Sequence, residues 1–254
     1  MLDLKTLYIE QLKKSLMNII NIQVPDTIIN PNSLNEQLST EWFEHFWLGS
    51  ALTMSSLKRL DNIQYCLENC LSAGVQGNFI ECGAWRGGGA ILMRGILAAH
   101  GITDRTVWVA DSFQGLPLPP GASVDESMYN YPEVIKTNRF AVTLEEVKSN
   151  FDRYGLLDEQ VHFLAGWFNE TLPNAPVQKI ALLRLDGDYY DSTMDTLVNL
   201  YPKVTLGGYI IIDDWGLDEL CGEKQAVIDY RQANRITDEI ISVDYHSAYW
   251  QKTA

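Results

Sequence analysis

The sequence is short of basic residues. Its 254 residues include 19 lysines and arginines against 33 aspartates and glutamates, which gives a formal net charge of -14. A nucleic-acid backbone or an anionic membrane surface would repel such a chain. We therefore expect neither nucleic acid nor a membrane as a partner, and the acidic surplus alone is typical of an ordinary soluble surface.

Patterns for a disulfide framework, a zinc site or a membrane span are also lacking. The four cysteines contain no C-x-x-C pair and the four histidines no H-x-x-x-H spacing, so a zinc site of His and Cys is not expected. No apolar run is long enough to span a membrane, and the first 14 residues form an amphipathic pattern instead of a signal peptide. These absences predict a cytoplasmic protein with reduced, buried thiols.

Hydrophobic residues make up 46% of the chain, which is enough for one large α/β domain. Apolar residues at helical spacing in residues 2–20 and 55–71 predict two helices, separated by a stretch rich in Pro and Asn. We assign residues 1–74 to an N-terminal helical extension, or lid, packed on the core. Residues 75–254 form the main part of the same single domain.

Five short apolar runs follow, with helical patterns between most of them. They span residues 79–82, 107–110, 161–164, 180–185 and 209–212. This alternation is typical of a parallel sheet covered by helices, and residues 239–251 predict a terminal hairpin with an antiparallel strand. Residues 114–141 are rich in Pro and lack periodicity, which predicts a lid or substrate wall, or alternatively a disordered insertion.

A glycine-rich turn follows the first of these strands. Trp85 stands where a dinucleotide-binding fold needs glycine, and Gly89 and Ala90 stand where a P-loop needs lysine and a hydroxyl residue. Glu81, just before Gly83, would repel a phosphate but attract the ammonium and sulfonium charges of S-adenosylmethionine. A purely structural turn is the alternative.

The next two strands support the interpretation of this turn as a binding site for the adenosyl part of S-adenosylmethionine. The second ends at Asp111, whose carboxylate could accept both ribose hydroxyls. The third is followed by Gly166, Trp167 and Phe168, whose aromatic rings could stack on adenine, although core packing explains them equally well. Acids at two neighbouring strand ends, Glu81 and Asp111, predict one adenosyl ligand at this edge.

Three aspartates follow the fourth and fifth apolar runs: Asp186, and then Asp213 with Asp214. The carboxyl ends of parallel strands share one edge, so the three should converge beside the nucleoside site. Converging carboxylates repel one another unless a cation joins them, and oxygen ligands favour Mg²⁺. If a hydroxyl group is methylated at this site, a metal there would stabilise the alkoxide that forms as the hydroxyl loses its proton. Asp186 is the candidate base that takes up this proton. Helix caps or turns are the alternative, and Asp188 is unassigned.

Taken together, these motifs resemble those of the macrocin O-methyltransferase family. The matching segments are residues 53–54, 58–60, 81–88, 108–115, 152–157, 166–168, 186–188 and 212–214. The resemblance implies a class I, Rossmann-like methyltransferase fold with a mostly parallel seven-stranded sheet, a C-terminal antiparallel hairpin and helices on both faces. It also implies S-adenosylmethionine and Mg²⁺ as cofactors, and a homo-oligomer, either a dimer or a tetramer.

The resemblance assigns Asp186 as base and metal ligand, and Asp213 and Asp214 as the other metal ligands. The cofactor contacts expected from the strand ends, the turn and the resemblance are Thr53, Met54, Glu81, Gly83, Ala84, Arg86, Asp111, Ser112, Phe113, Gly166, Trp167 and Phe168.

The predicted activity is methyl transfer from S-adenosylmethionine to a sugar or phenol hydroxyl of a small natural product, as a tailoring step of antibiotic or other secondary metabolism. Residues 25–47 and 116–140 do not match members acting on macrolide sugars, so the acceptor stays open. The aromatics Trp42, Phe43, Phe46 and Trp47 could wall a hydrophobic acceptor or pack on a partner subunit. The alternatives are a catechol-type methyltransferase, a nicotinamide-dependent oxidoreductase and a catalytically silent binding module.

Overall fold

The fold was analysed in a computed structural model that describes residues 3–37, 39–117, 140–216 and 222–254. Most of the predicted lid lies outside these ranges, as residues 118–139. Three cysteines, Cys66, Cys70 and Cys82, are buried free thiols as expected, and Cys221 lies outside the described residues.

A seven-stranded sheet forms the centre of the described chain. Its strands are β1 (Asn78–Cys82), β2 (Val107–Asp111), β3 (Val161–Ala165), β4 (Ile180–Leu185), β5 (Val204–Ile212), β6 (Ile241–Ser242) and β7 (Ala248–Gln251). Their spatial order is β3-β2-β1-β4-β5-β7-β6. The first five strands pair in parallel, and β7 runs antiparallel to both β5 and β6. The predicted class I methyltransferase architecture is therefore confirmed, including its terminal hairpin.

Six helices of at least ten residues lie in the described ranges. They are α1 (Leu4–Leu16), α2 (Leu57–Ser72), α3 (Gly88–Ala99), α4 (Leu144–Arg153), α5 (Tyr190–Leu200) and α6 (Glu223–Ala233). Short α-helical turns span Asp26–Ile29, Leu34–Gln37, Thr40–Trp42 and Phe168–Thr171, a π-helical turn spans Phe43–Trp47, and 3₁₀ turns span Leu172–Asn174 and Tyr201–Lys203. None of the described helices is both long and apolar enough to cross a bilayer.

The helix starts follow the expected capping chemistry. Asp3, Ser56 and Thr143 precede α1, α2 and α4, and each side chain accepts a hydrogen bond from a backbone N–H in the first turn of its helix. The Thr143 cap agrees with the Thr-Leu-Glu-Glu sequence that opens α4.

Both faces of the sheet are covered, because successive residues of a strand point to opposite sides. Phe79 and Leu182 face an apolar cluster shared with α1, α2, α3 and α4, whereas Ile80 and Leu183 face a second cluster shared with α5 and α6. Helix α1 thus belongs to the same core as the sheet, and the division of the chain at residue 74 stays a prediction.

Candidate active site

A cavity opens where the parallel strands end. The acids that follow or end β1, β2, β4 and β5 line it together: Glu81, Asp111, Asp186, Asp213 and Asp214. This is the edge at which open parallel sheets bind ligands. Both ends of the predicted lid reach the cavity as well, through Leu116 and Pro117 on one side and Phe140 on the other.

The structure brings most of the predicted cofactor residues to this cavity. Those that line it are Thr53, Met54, Glu81, Gly83, Ala84, Asp111, Ser112, Trp167 and Phe168. Arg86, Phe113 and Gly166 do not line it. Phe113 is buried beside Phe163 in the core, Gly166 turns the chain with φ of 138°, and Arg86 bonds to the N-terminal segment.

The glycine turn is packed too tightly for side chains. A Cβ atom on Gly83 would lie 1.7 Å from the backbone oxygen of Asp186, and one on Gly89 would lie 2.0 Å from Oε1 of Glu81. The other oxygen of Glu81, Oε2, accepts a 2.8 Å hydrogen bond from the N–H of Ala90 in the first turn of α3. The glycines therefore let the helix N-terminus approach a buried carboxylate closely.

Asp111 fixes the same turn from the neighbouring strand. Its Oδ2 accepts hydrogen bonds from the backbone N–H groups of Ala84 at 2.7 Å and Trp85 at 3.2 Å, and its Oδ1 accepts one from Phe113 at 2.8 Å. These bonds hold Trp85 in a left-handed conformation, with φ of 47°. A carboxylate has about four acceptor sites, so these three bonds leave about one, on Oδ1, for a ribose hydroxyl.

The buried guanidinium of Arg184 joins acids from three strands. Its Nη1 lies 2.7 Å from Oε1 of Glu81 and 2.7 Å from Oδ2 of Asp186, and its Nη2 lies 2.8 Å from Oδ1 of Asp213. Arg184 sits opposite Glu81 in the β1–β4 register and is 3% exposed. Its planar fork lets one cation serve several carboxylates.

A second arginine, Arg59 of α2, completes the surroundings of Asp213. Arg59 Nη1 lies 2.6 Å from Oδ2 of Asp213, while its Nη2 donates to the carbonyl of Met54 at 3.1 Å. Burial alone would raise the pKa of Asp213, but Arg184 and Arg59 together lower it below its ordinary value. Asp213 is therefore an ionised carboxylate between two guanidinium groups.

The remaining carboxyls of the cluster are short of positive charge. Burial raises the pKa of Asp186 to about 7 despite Arg184, and it raises the pKa of Asp214 well above its ordinary value, with Asp188 and Glu223 adding to the effect. Glu223 of α6 accepts hydrogen bonds from the backbone N–H groups of Asp214 and Gly187. Such a cluster is stabilised by any bound cation.

His246 lies beside these aspartates. Its Nδ1 is 2.6 Å from the backbone oxygen of Asp213, so Nδ1 carries the proton and Nε2 is left as an acceptor, 3.5 Å from Oδ1 of Asp214. Among the described residues, Asp213, Asp214 and His246 offer ligand atoms within 4.8 Å of one another. Asp186 is outside that group and is connected to it through Arg184.

Four residues of the site were missed in the sequence: Arg59, Arg184, Glu223 and His246. Only Arg184 carried a signal, because an arginine inside an apolar, central strand needs a buried partner. Arg59 lies in the matched segment 58–60, but that match gave it no role in the site, and nothing in the local pattern of Glu223 or His246 marks them.

Comparisons with known proteins agree with this geometry. The family described as Macrocin-O-methyltransferase (TylF) matches residues 33–252. The demethyldecarbamoylnovobiocin O-methyltransferase of Streptomyces niveus is 51% identical over 211 residues, 82% of this chain and 78% of that protein. The 8-demethyl-8-(2,3-dimethoxy-alpha-L-rhamnosyl)-tetracenomycin-C 4'-O-methyltransferase of Streptomyces olivaceus is 45% identical, covering 99% and 95% of the two chains.

One solved structure is similar to this chain over nearly its whole length. The structure of the O-methyltransferase NovP superimposes with a TM-score of 0.86 and 43% sequence identity, over 98% of this chain and 100% of that one.

Replacing Arg184 with methionine should lower the free energy of unfolding by about 3–5 kcal/mol, because Glu81, Asp186 and Asp213 lose their shared cation. Denaturant unfolding measures this loss. Arg94→Met is the matched control, since within the described residues the buried Arg94 pairs with one carboxylate, that of Asp158. Equal losses in the two variants would show that Arg184 does not hold the cluster.

Proposed function

The chain belongs to the macrocin O-methyltransferase family, and on that premise we propose that it methylates a sugar hydroxyl of a glycosylated natural product. It is an S-adenosylmethionine-dependent O-methyltransferase, as the family and its named relatives show. The oxidoreductase and silent-module alternatives are therefore set aside. One relative of nearly full length is named for the 4' position of a rhamnosyl group, which supports a sugar over a catechol acceptor.

The observation that carries the proposal is the meeting of two unlike walls in one cavity. One wall is the carboxylate edge of the sheet, and the other contains Trp42, Trp47 and Phe140. An acceptor with a polar sugar and an apolar aglycone would match both, since aromatic rings bury large apolar area while the sugar hydroxyls meet polar groups.

We place the cofactor at the glycine turn. S-adenosylmethionine supplies an electrophilic methyl group on a sulfonium ion. Glu81 near the end of β1 offers negative charge for the ammonium group, and Oδ1 of Asp111 at the end of β2 offers a lone pair for a ribose hydroxyl. Trp167 and Phe168 line the same cavity and provide aromatic surface for adenine.

A divalent metal fits the donors present at the strand ends. Asp213, Asp214 and His246 offer ligand atoms close enough together to share an ion such as Mg²⁺, and Asp186, outside that group, is the third aspartate ligand that the family resemblance implies. Further support comes from the carboxyls of Asp186 and Asp214, whose pKa values are raised by burial and would be lowered by a cation. When bound, the ion supplies positive charge that lowers the cost of deprotonating a nearby hydroxyl.

Asp186 is the proposed proton acceptor. Arg184 occupies its Oδ2 atom, which leaves Oδ1 to accept the proton of the sugar hydroxyl. The side chain of Asp186 is 29% exposed, whereas those of Asp213 and Asp214 are nearly fully buried.

We also propose that the enzyme is a homo-oligomer, a dimer or tetramer. Helix α1 leaves Leu4 85% exposed, and the side chains of Leu7 and Tyr8 on the same helix are exposed as well. An apolar helix face of this kind is typical of a subunit contact.

The acceptor class is tested with paired substrates. A deoxysugar glycoside of an aromatic aglycone should be methylated on the sugar, because only the glycoside contacts both walls of the cavity. The free aglycone and a simple catechol should not react. Mass spectrometry of the products locates the methyl group. Methylation of the catechol but not the glycoside would contradict the sugar proposal.

Metal dependence is tested by removal and return of the ion. Treatment with EDTA should abolish transfer and lower the melting temperature, and Mg²⁺ should restore both, because the cation offsets the repulsion among the buried carboxyls. Isothermal titration should detect Mg²⁺ binding in the native protein and in Asp191→Asn, but not in Asp214→Asn. Asp191 is an exposed aspartate at the start of α5. Full activity with EDTA would refute the metal.

The role of Asp186 is tested by Asp186→Asn. We expect kcat to fall by about 10²–10⁴-fold, since the amide cannot take up the hydroxyl proton. Binding of S-adenosylhomocysteine, measured by calorimetry, should change little. Asp191→Asn again serves as the control and should keep its kcat. Full turnover in Asp186→Asn would assign the proton acceptor to another group.

A further inference from the structure

We propose that Trp47 binds the acceptor through its indole N–H and that Arg86 positions it for this task. The acceptor class in this statement rests on the proposed function, whereas the link between Arg86 and residues 47–51 does not. The expected contact of Arg86 with the cofactor stays a prediction, and in the structure its guanidinium donates to carbonyls of residues 47–51.

Trp47 presents a donor that the described protein leaves without a partner. The ring lines the cavity, the residue is 8% exposed, and no acceptor for its Nε1 is found in residues 3–37, 39–117, 140–216 and 222–254. A buried indole N–H normally finds an acceptor. An oxygen of the bound acceptor is the partner that would satisfy it.

Arg86 holds the backbone of the segment that carries this ring. Its Nη1 donates to the carbonyls of Gly49 at 2.9 Å and Ala51 at 2.7 Å, and its Nη2 donates to the carbonyl of Trp47 itself at 3.1 Å. Residues 48–56 contain no helix or strand, so these carbonyls have no regular ladder to join. The guanidinium supplies several donors in one plane, which a lysine cannot do.

The chain before this segment is shaped to bring those carbonyls together. The π-helical turn Phe43–Trp47 is followed by Leu48 and Gly49, and a Cβ atom on Gly49 would lie 2.1 Å from the backbone oxygen of His45. Single π-helical turns are frequent at functional sites. The ring of Trp47 then packs against Phe140 at a centroid distance of 4.7 Å, which completes the aromatic wall.

On its other side Arg86 is fixed to the glycine turn. Its guanidinium carbon lies 4.1 Å from the centroid of the Trp85 ring, and its own carbonyl accepts a 3.0 Å hydrogen bond from Asn150 of α4. Arg86 therefore spans from the turn that we assign to the cofactor to the wall that we assign to the acceptor.

Thr53 and Met54, the predicted cofactor contacts of the same segment, have separate anchors. The N–H of Gly88 donates to the carbonyl of Leu52 at 3.0 Å, and Arg59 donates to the carbonyl of Met54. Loss of the Arg86 side chain should thus disturb the Trp47 wall more than the cofactor contacts.

The proposal is tested with Trp47→Phe and Arg86→Met. In each variant we expect the KM for the glycoside acceptor to rise about tenfold, as a hydrogen bond or its positioning is lost, while the Kd for S-adenosylhomocysteine stays within about twofold. The double variant should be little worse than either single one, because both changes remove the same contact. Arg86→Lys should restore only part of the loss.

Arg105→Met is the matched control. Arg105 also donates from Nη1 to two backbone carbonyls, those of Val75 and Gly77, but neither lines the cavity. If Arg86 were merely structural, both arginine variants would lose stability and keep the acceptor KM. An unchanged KM in Trp47→Phe, or an equal rise of the cofactor Kd in Arg86→Met, would overturn the proposal.

Hydrogen exchange separates this inference from the proposed function. Without any acceptor, the amides of residues 47–51 should exchange faster in Arg86→Met than in the native protein or Arg105→Met. If no glycoside is methylated by the native enzyme, the proposed function fails but this measurement still tests the link. Unchanged exchange in Arg86→Met would refute the positioning role whatever the acceptor is.

Discussion

The buried cation of Arg184 is the contact on which the carboxylate edge depends. β1, β4 and β5 are neighbours in the sheet, so one side chain in the middle strand reaches Glu81, Asp186 and Asp213 together. Buried carboxylates without such a partner are strongly unfavourable. The acids of the proposed cofactor site and those of the proposed metal site therefore share one cation. A change of charge at one of these acids alters the pKa values of the others.

Close backbone approach is the second constraint. Side chains are excluded at Gly83 by the backbone of Asp186, at Gly89 by Glu81, and at Gly88 by Leu52. These contacts bring the ends of β1 and β4, the start of α3 and the N-terminal segment to within van der Waals distance of one another. The site thus gains rigidity from small residues, while Arg86 extends that rigidity to the aromatic wall.

Much of the fold was visible in the sequence, and the exceptions have physical causes. The predicted strand 180–185 coincides with β4. The fifth strand was predicted to begin at Tyr209, but β5 begins at Val204. The glycine pair Gly207 and Gly208 lies inside this strand, although such a pair in a sequence is typical of a turn. The aspartates could be placed by strand ends alone. Partners such as Arg59 and His246 could not, since their convergence depends on tertiary packing, and a matched motif position did not reveal that Arg86 bonds to the carbonyls of residues 47, 49 and 51.

The ion pairs of Arg184 and the aromatic wall of the cavity are formed by different stretches of the chain. The first are built into the sheet edge, where Arg184 pairs with Glu81, Asp186 and Asp213, and the second contains Trp42, Trp47 and Phe140. Because none of these three aromatic residues takes part in the ion pairs of Arg184, the shape of the wall can change without a change in the charges that hold the sheet edge together.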